Sequence, residues 1–109
     1  MRIGIDIVEN IRVEKLLNSY GRRFLTMFLT TREINQWERG GKRINTLCGI
    51  FAAKEAIIKA VDFKINLSQV TITHTENGVP VGSILKQKVK PSISISHEIK
   101  YSVAVAICD

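Results

Sequence analysis

Four side chains have the types and spacing for phosphate or metal chemistry. Three of them, Lys54, Glu55 and Lys59, lie in residues 46–61; the fourth is Asp6 near the start. The stretch 46–61 reads as a helix. Leu47, Phe51, Ile58 and Val61 fall on one stripe at the helical period. Alanines at 52, 53, 56 and 60 raise helix propensity and permit close packing. Glu55 and Lys59 are four apart and share one edge of that stripe, while Lys54 projects into its middle. A carboxylate beside two amines at the border of a buried face is suited to a metal ion and a phosphate. The same pattern is more often a Glu–Lys surface pair with a lysine extending its ammonium out of the core, and the helix taken alone favours that reading.

Asp6 needs a reason of its own. Residues 2–8 alternate, with Ile3, Ile5 and Ile7 on one side and Gly4, Asp6 and Val8 on the other, as in a strand whose strongly apolar face is the isoleucine side. Aspartate is disfavoured inside strands. It is either an edge charge that blocks aggregation or a carboxylate held on a rigid element and aimed at a ligand. His97 ends a later strand where the chain turns, a position usually structural or merely exposed.

The elements that must position these groups follow from periodicity and punctuation. Asn10 is a candidate N-cap for a helix over 11–20, with Val13, Leu16, Leu17 and Tyr20 inward and Arg12, Lys15 and Ser19 outward. Arg22 and Arg23 extend the basic side if the turn geometry continues past Gly21. Glu14 is the only acid among the four basic residues of 12–23, an imbalance that favours a docking surface over a merely solvated one. Residues 24–29 form an apolar connector or short helix. Thr30 and Glu33 have capping-box spacing for a helix that carries Ile34 and Trp37 inward and stops near Gly40-Gly41. Residues 70–75 alternate as a strand, and Asn77-Gly78 is a hairpin signal. Pro80 makes the return strand 79–81 short or an edge, with 82–90 irregular. Strands at 92–97 and 101–107 make a final hairpin. The expectation is an α+β fold, an antiparallel sheet with about three helices packed on it, in a single domain spanning 1–109.

Composition narrows the function class. The chain has 109 residues, 45% hydrophobic and 24% charged, values of a globular protein with a modest core. No run is long enough to cross a membrane. Asp6 interrupts the segment where a secretory signal needs an unbroken apolar core. Cys48 and Cys108 have apolar neighbours and no metal-ligand spacing, so they read as reduced thiols of a cytoplasmic protein. A net charge of +6 points to an anionic partner. Nucleic acid is the poorer choice, because aromatics are only 6% of the chain and no run of them is placed to stack bases.

Three segments in order carry a resemblance: Gly4-Ile5-Asp6-Ile7-Val8-Glu9, then Phe51-Ala52-Ala53-Lys54-Glu55-Ala56 with Lys59, then Ser94-Ile95-Ser96-His97. Together with Phe24-Leu25, Phe28-Leu29-Thr30 and Glu33, and with Asn77-Gly78-Val79-Pro80, they resemble the bacterial holo-acyl-carrier-protein synthases, the small 4′-phosphopantetheinyl transferases, over nearly the whole chain. The resemblance implies transfer of the phosphopantetheine arm of coenzyme A to a serine of acyl carrier protein, releasing adenosine 3′,5′-bisphosphate, in fatty acid biosynthesis. It implies Mg2+ on Asp6 and Glu55, with substrate phosphate and water completing the shell. Lys59 matches a phosphate-contacting lysine, so Asp6, Glu55 and Lys59 are the expected catalytic set. Lys54 and His97 join Lys59 as expected coenzyme A contacts, Lys54 through a phosphate or by orienting a carboxylate. Arg12 and Arg23, with Lys15 and Arg22, are expected to meet the acidic carrier. The family's trimeric state implies a homotrimer with sites at subunit boundaries. The chain departs from the family at Ile50, where arginine is common, and at 61–66, which lacks the usual glycine loop.

Overall fold

A computed structural model describes residues 1–109. The chain runs through β1 (Arg2–Glu9), α1 (Asn10–Tyr20), α2 (Arg22–Phe28), α3 (Thr31–Arg39), α4 (Ile44–Ala60), a 3-10 turn (Leu67–Gln69), β2 (Val70–His74), β3 (Pro80–Ile84), β4 (Ser92–His97) and β5 (Tyr101–Cys108). The expected α+β class holds, with two differences. The strands form two antiparallel sheets, β1-β5-β4 and the hairpin β2-β3, and there are four α-helices. The extra helix arises because Gly21 takes φ 55, a left-handed conformation open to glycine at no steric cost. It ends α1 and starts α2, so Arg22 and Arg23 do not continue the basic side of α1. The return strand is also longer than expected, because Gly82, Ser83 and Ile84 pair with Ile72, Thr71 and Val70.

The axis of the molecule is α4. Leu47, Cys48, Ala52, Ala53, Lys54, Ala56, Ile57 and Ala60 on it are completely buried, so it is enclosed nearly all round rather than on one stripe. Arg2 Nε donates to the Ala60 carbonyl at 2.9 Å, placing a cation on the negative end of the helix.

The face of β1 that turns inward is the Gly4–Val8 side, not the strongly apolar isoleucine side. Ile3, Ile5 and Ile7 are 62%, 61% and 63% exposed, while Gly4 and Val8 are buried. The alanine side of α4 lies against the sheet too closely for isoleucine. The sheet answers with its small residues Gly4, Ser102, Ala104 and Ala106, and the bulky ones are displaced outward. Val103, Val105 and Ile107 pair with Ile7, Ile5 and Ile3 and share that outer face, whereas Ile93 and Ile95 turn inward and pack against the core. On α1, Val13 goes inward as expected, but Leu16 and Tyr20 are exposed.

Candidate active site

Gly4 sets the geometry of the site. A Cβ there would lie 1.9 Å from the Ala56 carbonyl oxygen and 2.9 Å from the Ala60 nitrogen, so only glycine permits β1 to cross α4 at this distance. Two residues on, Asp6 lies on the same side of the strand and is half-buried. It meets Lys59, which donates to the Asp6 carboxylate at 3.2 Å and to the Ile5 carbonyl at 3.0 Å. One helical turn back stands Glu55. Its pKa is raised first by burial and then by the Asp6 charge, with Lys59 opposing both. The two carboxylates therefore face the same space. They line a cleft of about 200 Å³ with Arg12, Phe24 and Phe51.

A lysine ammonium has three hydrogens. Two on Lys59 are engaged and one remains free, on a side chain that is half exposed. The fold thus brings together Asp6, Glu55, Lys59 and Arg12. This donor set fits a hard divalent cation. Both acids offer oxygen, they repel each other, and one lysine does not offset both charges. Magnesium is usually bound by one or two protein carboxylates, with water and substrate completing its shell; Glu9 also lines this cleft, but the acids do not form a metal-holding group of three.

Lys54 does not reach this cleft, and the expectation that it contacts coenzyme A is corrected. It is completely buried. Its ammonium donates to the Phe28 carbonyl, to Glu33 Oε1 at 2.6 Å and to the Leu67 carbonyl at 3.2 Å. Glu33 is the partner that sequence reasoning missed. Its capping box with Thr30 is as expected, yet the same carboxylate also takes the Ile72 N–H at 2.6 Å. Burial lowers the Lys54 pKa, and the hydrogen bond and charge of Glu33 oppose that shift. The signal available was a capping-box glutamate in a chain that also buries a lysine.

His97 also stands apart. It lines a separate pocket with Thr46, Gly49, His74 and the β2–β3 hairpin, near the other end of α4 from Glu55. The expected carrier-facing residues divide. Arg12 and Lys15 lie on α1, and Arg12 borders the carboxylate cleft. Arg23 borders an open apolar groove of about 750 Å³ with Leu16, Tyr20, Met27 and Phe51. Arg22 stands 3.9 Å from Glu38 and is well exposed. Groove and cleft share Leu16, Phe24 and Phe51, so one surface runs from basic and apolar side chains to the paired acids.

Paired acids on a strand–helix crossing, a lysine with a free hydrogen beside them and Arg12 at the rim have the chemistry to bind a phosphate ester together with a divalent cation. Comparison with known proteins narrows that chemistry. The profile of the 4′-phosphopantetheinyl transferase superfamily matches residues 2–108. The holo-(acyl-carrier-protein) synthase of Hydrogenobaculum sp. strain Y04AAS1 is 40% identical over 116 residues, covering 94% of this chain and 91% of its own. That of Sulfurovum sp. strain NBC37-1 is 34% identical, covering 100% and 97%. The crystal structure of the Helicobacter pylori holo-(acyl-carrier-protein) synthase in complex with coenzyme A superposes with a TM-score of 0.87 at 30% identity over 98% of this chain and 99% of that one. The Neisseria meningitidis enzyme gives 0.88 at 30% identity over 99% and 97%. The chain belongs to the 4′-phosphopantetheinyl transferase superfamily.

Proposed function

We propose that this chain, as one transferase domain over residues 1–109, moves the 4′-phosphopantetheine group of coenzyme A onto a serine of apo acyl carrier protein and releases adenosine 3′,5′-bisphosphate. The observation that carries the reading is the convergence of Asp6, Glu55 and Lys59 where β1 crosses α4. The serine oxygen bonds to the β-phosphorus of coenzyme A as the bond from that phosphorus to the bridging oxygen breaks. The serine proton passes to a base, and negative charge gathers on the departing bisphosphate. Asp6 and Glu55 are the proposed holders of Mg2+, which when bound neutralises that charge and aligns the groups. Lys59, tethered by Ile5 and Asp6, presents its free hydrogen to a phosphate oxygen. The base that takes the serine proton is one of the two carboxylates or a metal-ordered water.

Arg12, Lys15, Arg22 and Arg23 are the proposed carrier contacts. Acyl carrier proteins are acidic, and a net charge of +6, with Arg12 beside the cleft and Arg23 on the adjoining groove, speeds encounter. A homotrimer is supported by the outer face of β1 and β5, whose isoleucines and valines form an apolar surface of the kind that marks association. In such an assembly His97, remote from the carboxylates of its own chain, would serve a neighbour's site. No helix is long and apolar enough to cross a membrane, and the two cysteines are free and buried, with Cys48 pushed up to about 11 mainly by burial. Both features are consistent with the proposed cytoplasmic, reducing setting.

The test is mass spectrometry of an apo acyl carrier protein incubated with the chain, coenzyme A and Mg2+. The expected result is a gain of one phosphopantetheine group on the carrier serine. A carrier of unchanged mass under conditions where a known synthase modifies it would overturn the reading.

A further inference from the structure

Lys54 is completely buried, although its neighbour Glu55 reaches the cleft. An ammonium has three hydrogens, and those of Lys54 go to three separate segments. They meet the Phe28 carbonyl at the end of α2, Glu33 Oε1 at 2.6 Å in the first turn of α3, and the Leu67 carbonyl at 3.2 Å in the 3-10 turn. The Phe28 carbonyl is among the last of α2, which lack a partner within their own helix. The ammonium supplies that partner and places a cation at the negative end of α2, with no donor left over. Stability alone does not account for the pair. Apolar side chains of similar volume often replace a buried ion pair at no loss, so what Lys54 adds here is position.

Phe28 and Leu67 share a second property. Both line the open groove of about 750 Å³ that Arg23 borders. Phe51, three residues before Lys54 on α4, lines it too and meets the Phe28 ring edge-on at 5.1 Å between centroids. Lys54 is thus bonded from behind to two segments that shape the groove, and its own helix supplies a third. Groove and cleft share Leu16, Phe24 and Phe51, so whatever brings the acceptor serine to Asp6, Glu55 and Lys59 must lie across the groove. Given the proposed reaction, on which this inference rests, that occupant is the acidic carrier protein, whose charge suits Arg23. We propose that Lys54 is a positioning residue for carrier recognition: its buried ammonium fixes the end of α2 against the 3-10 turn at the spacing the docked carrier requires. Coenzyme A does not depend on that spacing. Its pyrophosphate belongs at the crossing of β1 and α4, where the contact of Gly4 with Ala56 sets the distance.

The experiment compares the wild type with the double variant Lys54→Met/Glu33→Gln, which removes the ammonium without stranding the carboxylate. Steady-state kinetics with apo acyl carrier protein and isothermal titration with coenzyme A are run in Mg2+ on the folded protein. The KM for the carrier should rise roughly tenfold, the scale of one well-packed interface contact. The coenzyme A Kd should stay at the wild-type value. The kcat at saturating carrier should also hold, because the change removes binding that is equal in the ground and transition states. A merely structural role would lower kcat through the folded fraction and leave KM alone, and that result overturns the assignment. So does a coenzyme A Kd that rises as much as the carrier KM, which would put the arm of coenzyme A in the groove instead. Either outcome leaves the transferase reading intact, whereas a wild type that modifies no carrier overturns both. If the double variant does not fold, nitrogen-15 NMR of the Lys54 ammonium in the wild type decides. A carrier with alanine at its acceptor serine should slow exchange of the ammonium hydrogens, and coenzyme A alone should not. Exchange indifferent to the carrier overturns the assignment.

Discussion

Gly4 and Ala56 touch backbone to backbone: the α4 carbonyl of Ala56 occupies the position a β-carbon on residue 4 would need. This contact sets how far the Asp6 carboxylate stands from Glu55 and Lys59, since Asp6 is carried two residues along the same strand face. The prediction for Gly4→Ala is therefore double. The variant should lose about 1–3 kcal/mol of stability from overpacking, read as a lower urea midpoint, and its activity should fall further than the lost folded fraction explains. Full activity in the folded fraction would mean the site tolerates a shifted strand.

Asp6→Asn and Glu55→Gln keep side-chain size and remove charge. Each should cut transfer at least about a hundredfold, since loss of even an outer-shell partner of a metal costs 10–100-fold, with little change in melting temperature. Turnover at limiting Mg2+ checks this, and normal turnover of either variant shows that its residue is not a metal ligand.

Glu55 titrates above its ordinary value of 4.5. The folded protein therefore holds that proton more tightly than the unfolded chain. Ionising Glu55 lowers stability above its folded pKa, and that cost disappears as pH falls toward 4.5. Removing a neighbour should move the midpoint in the direction of its charge: down in Asp6→Asn, up in Lys59→Met. Carbon-13 NMR of the Glu55 carboxyl across pH measures both shifts, and a midpoint indifferent to both changes would mean the three groups are not coupled.

Lys54→Met leaves Glu33 charged, buried and without its cation, so it should destabilise by about 3–5 kcal/mol. Adding Glu33→Gln to Lys54→Met should recover part of that loss, because the stranded charge is gone while the amide oxygen can still accept from a backbone N–H. Denaturation of the two single variants and the double variant tests the coupling. Strict additivity would show that the 2.6 Å contact carries no interaction energy.

Ile5→Asp charges the apolar outer face without touching the core. Light scattering should report a trimer for the wild type and a smaller species for the variant, with activity lost if His97 serves a neighbour's site. Complementation is the stricter measure. Asp6→Asn and His97→Ala proteins, each weak alone, should regain activity when their subunits exchange, because some boundaries then pair an intact carboxylate site with an intact histidine. A mixture no more active than the average of its parts would rule the shared site out.

Much of the fold and half of the site are legible in the residues because they are encoded locally. The period of 46–61 makes α4, Thr30 and Glu33 make the capping box that starts α3, and Asn77-Gly78 makes the β2–β3 turn; each depends on neighbours within a few positions. The ordered motifs also mark Asp6, Glu55 and Lys59 before any contact is seen. Tertiary structure decided the rest. Alternation assigned Ile3, Ile5 and Ile7 to one side of β1 but could not say which side is covered; the alanine surface of α4 decided, by leaving room only for Gly4 and the small residues of β5. Lys54 looked like a ligand group until Glu33, 21 residues away in sequence, claimed its charge. Pattern along a chain records which side chains share a face, whereas burial and pairing depend on what the rest of the chain places opposite that face.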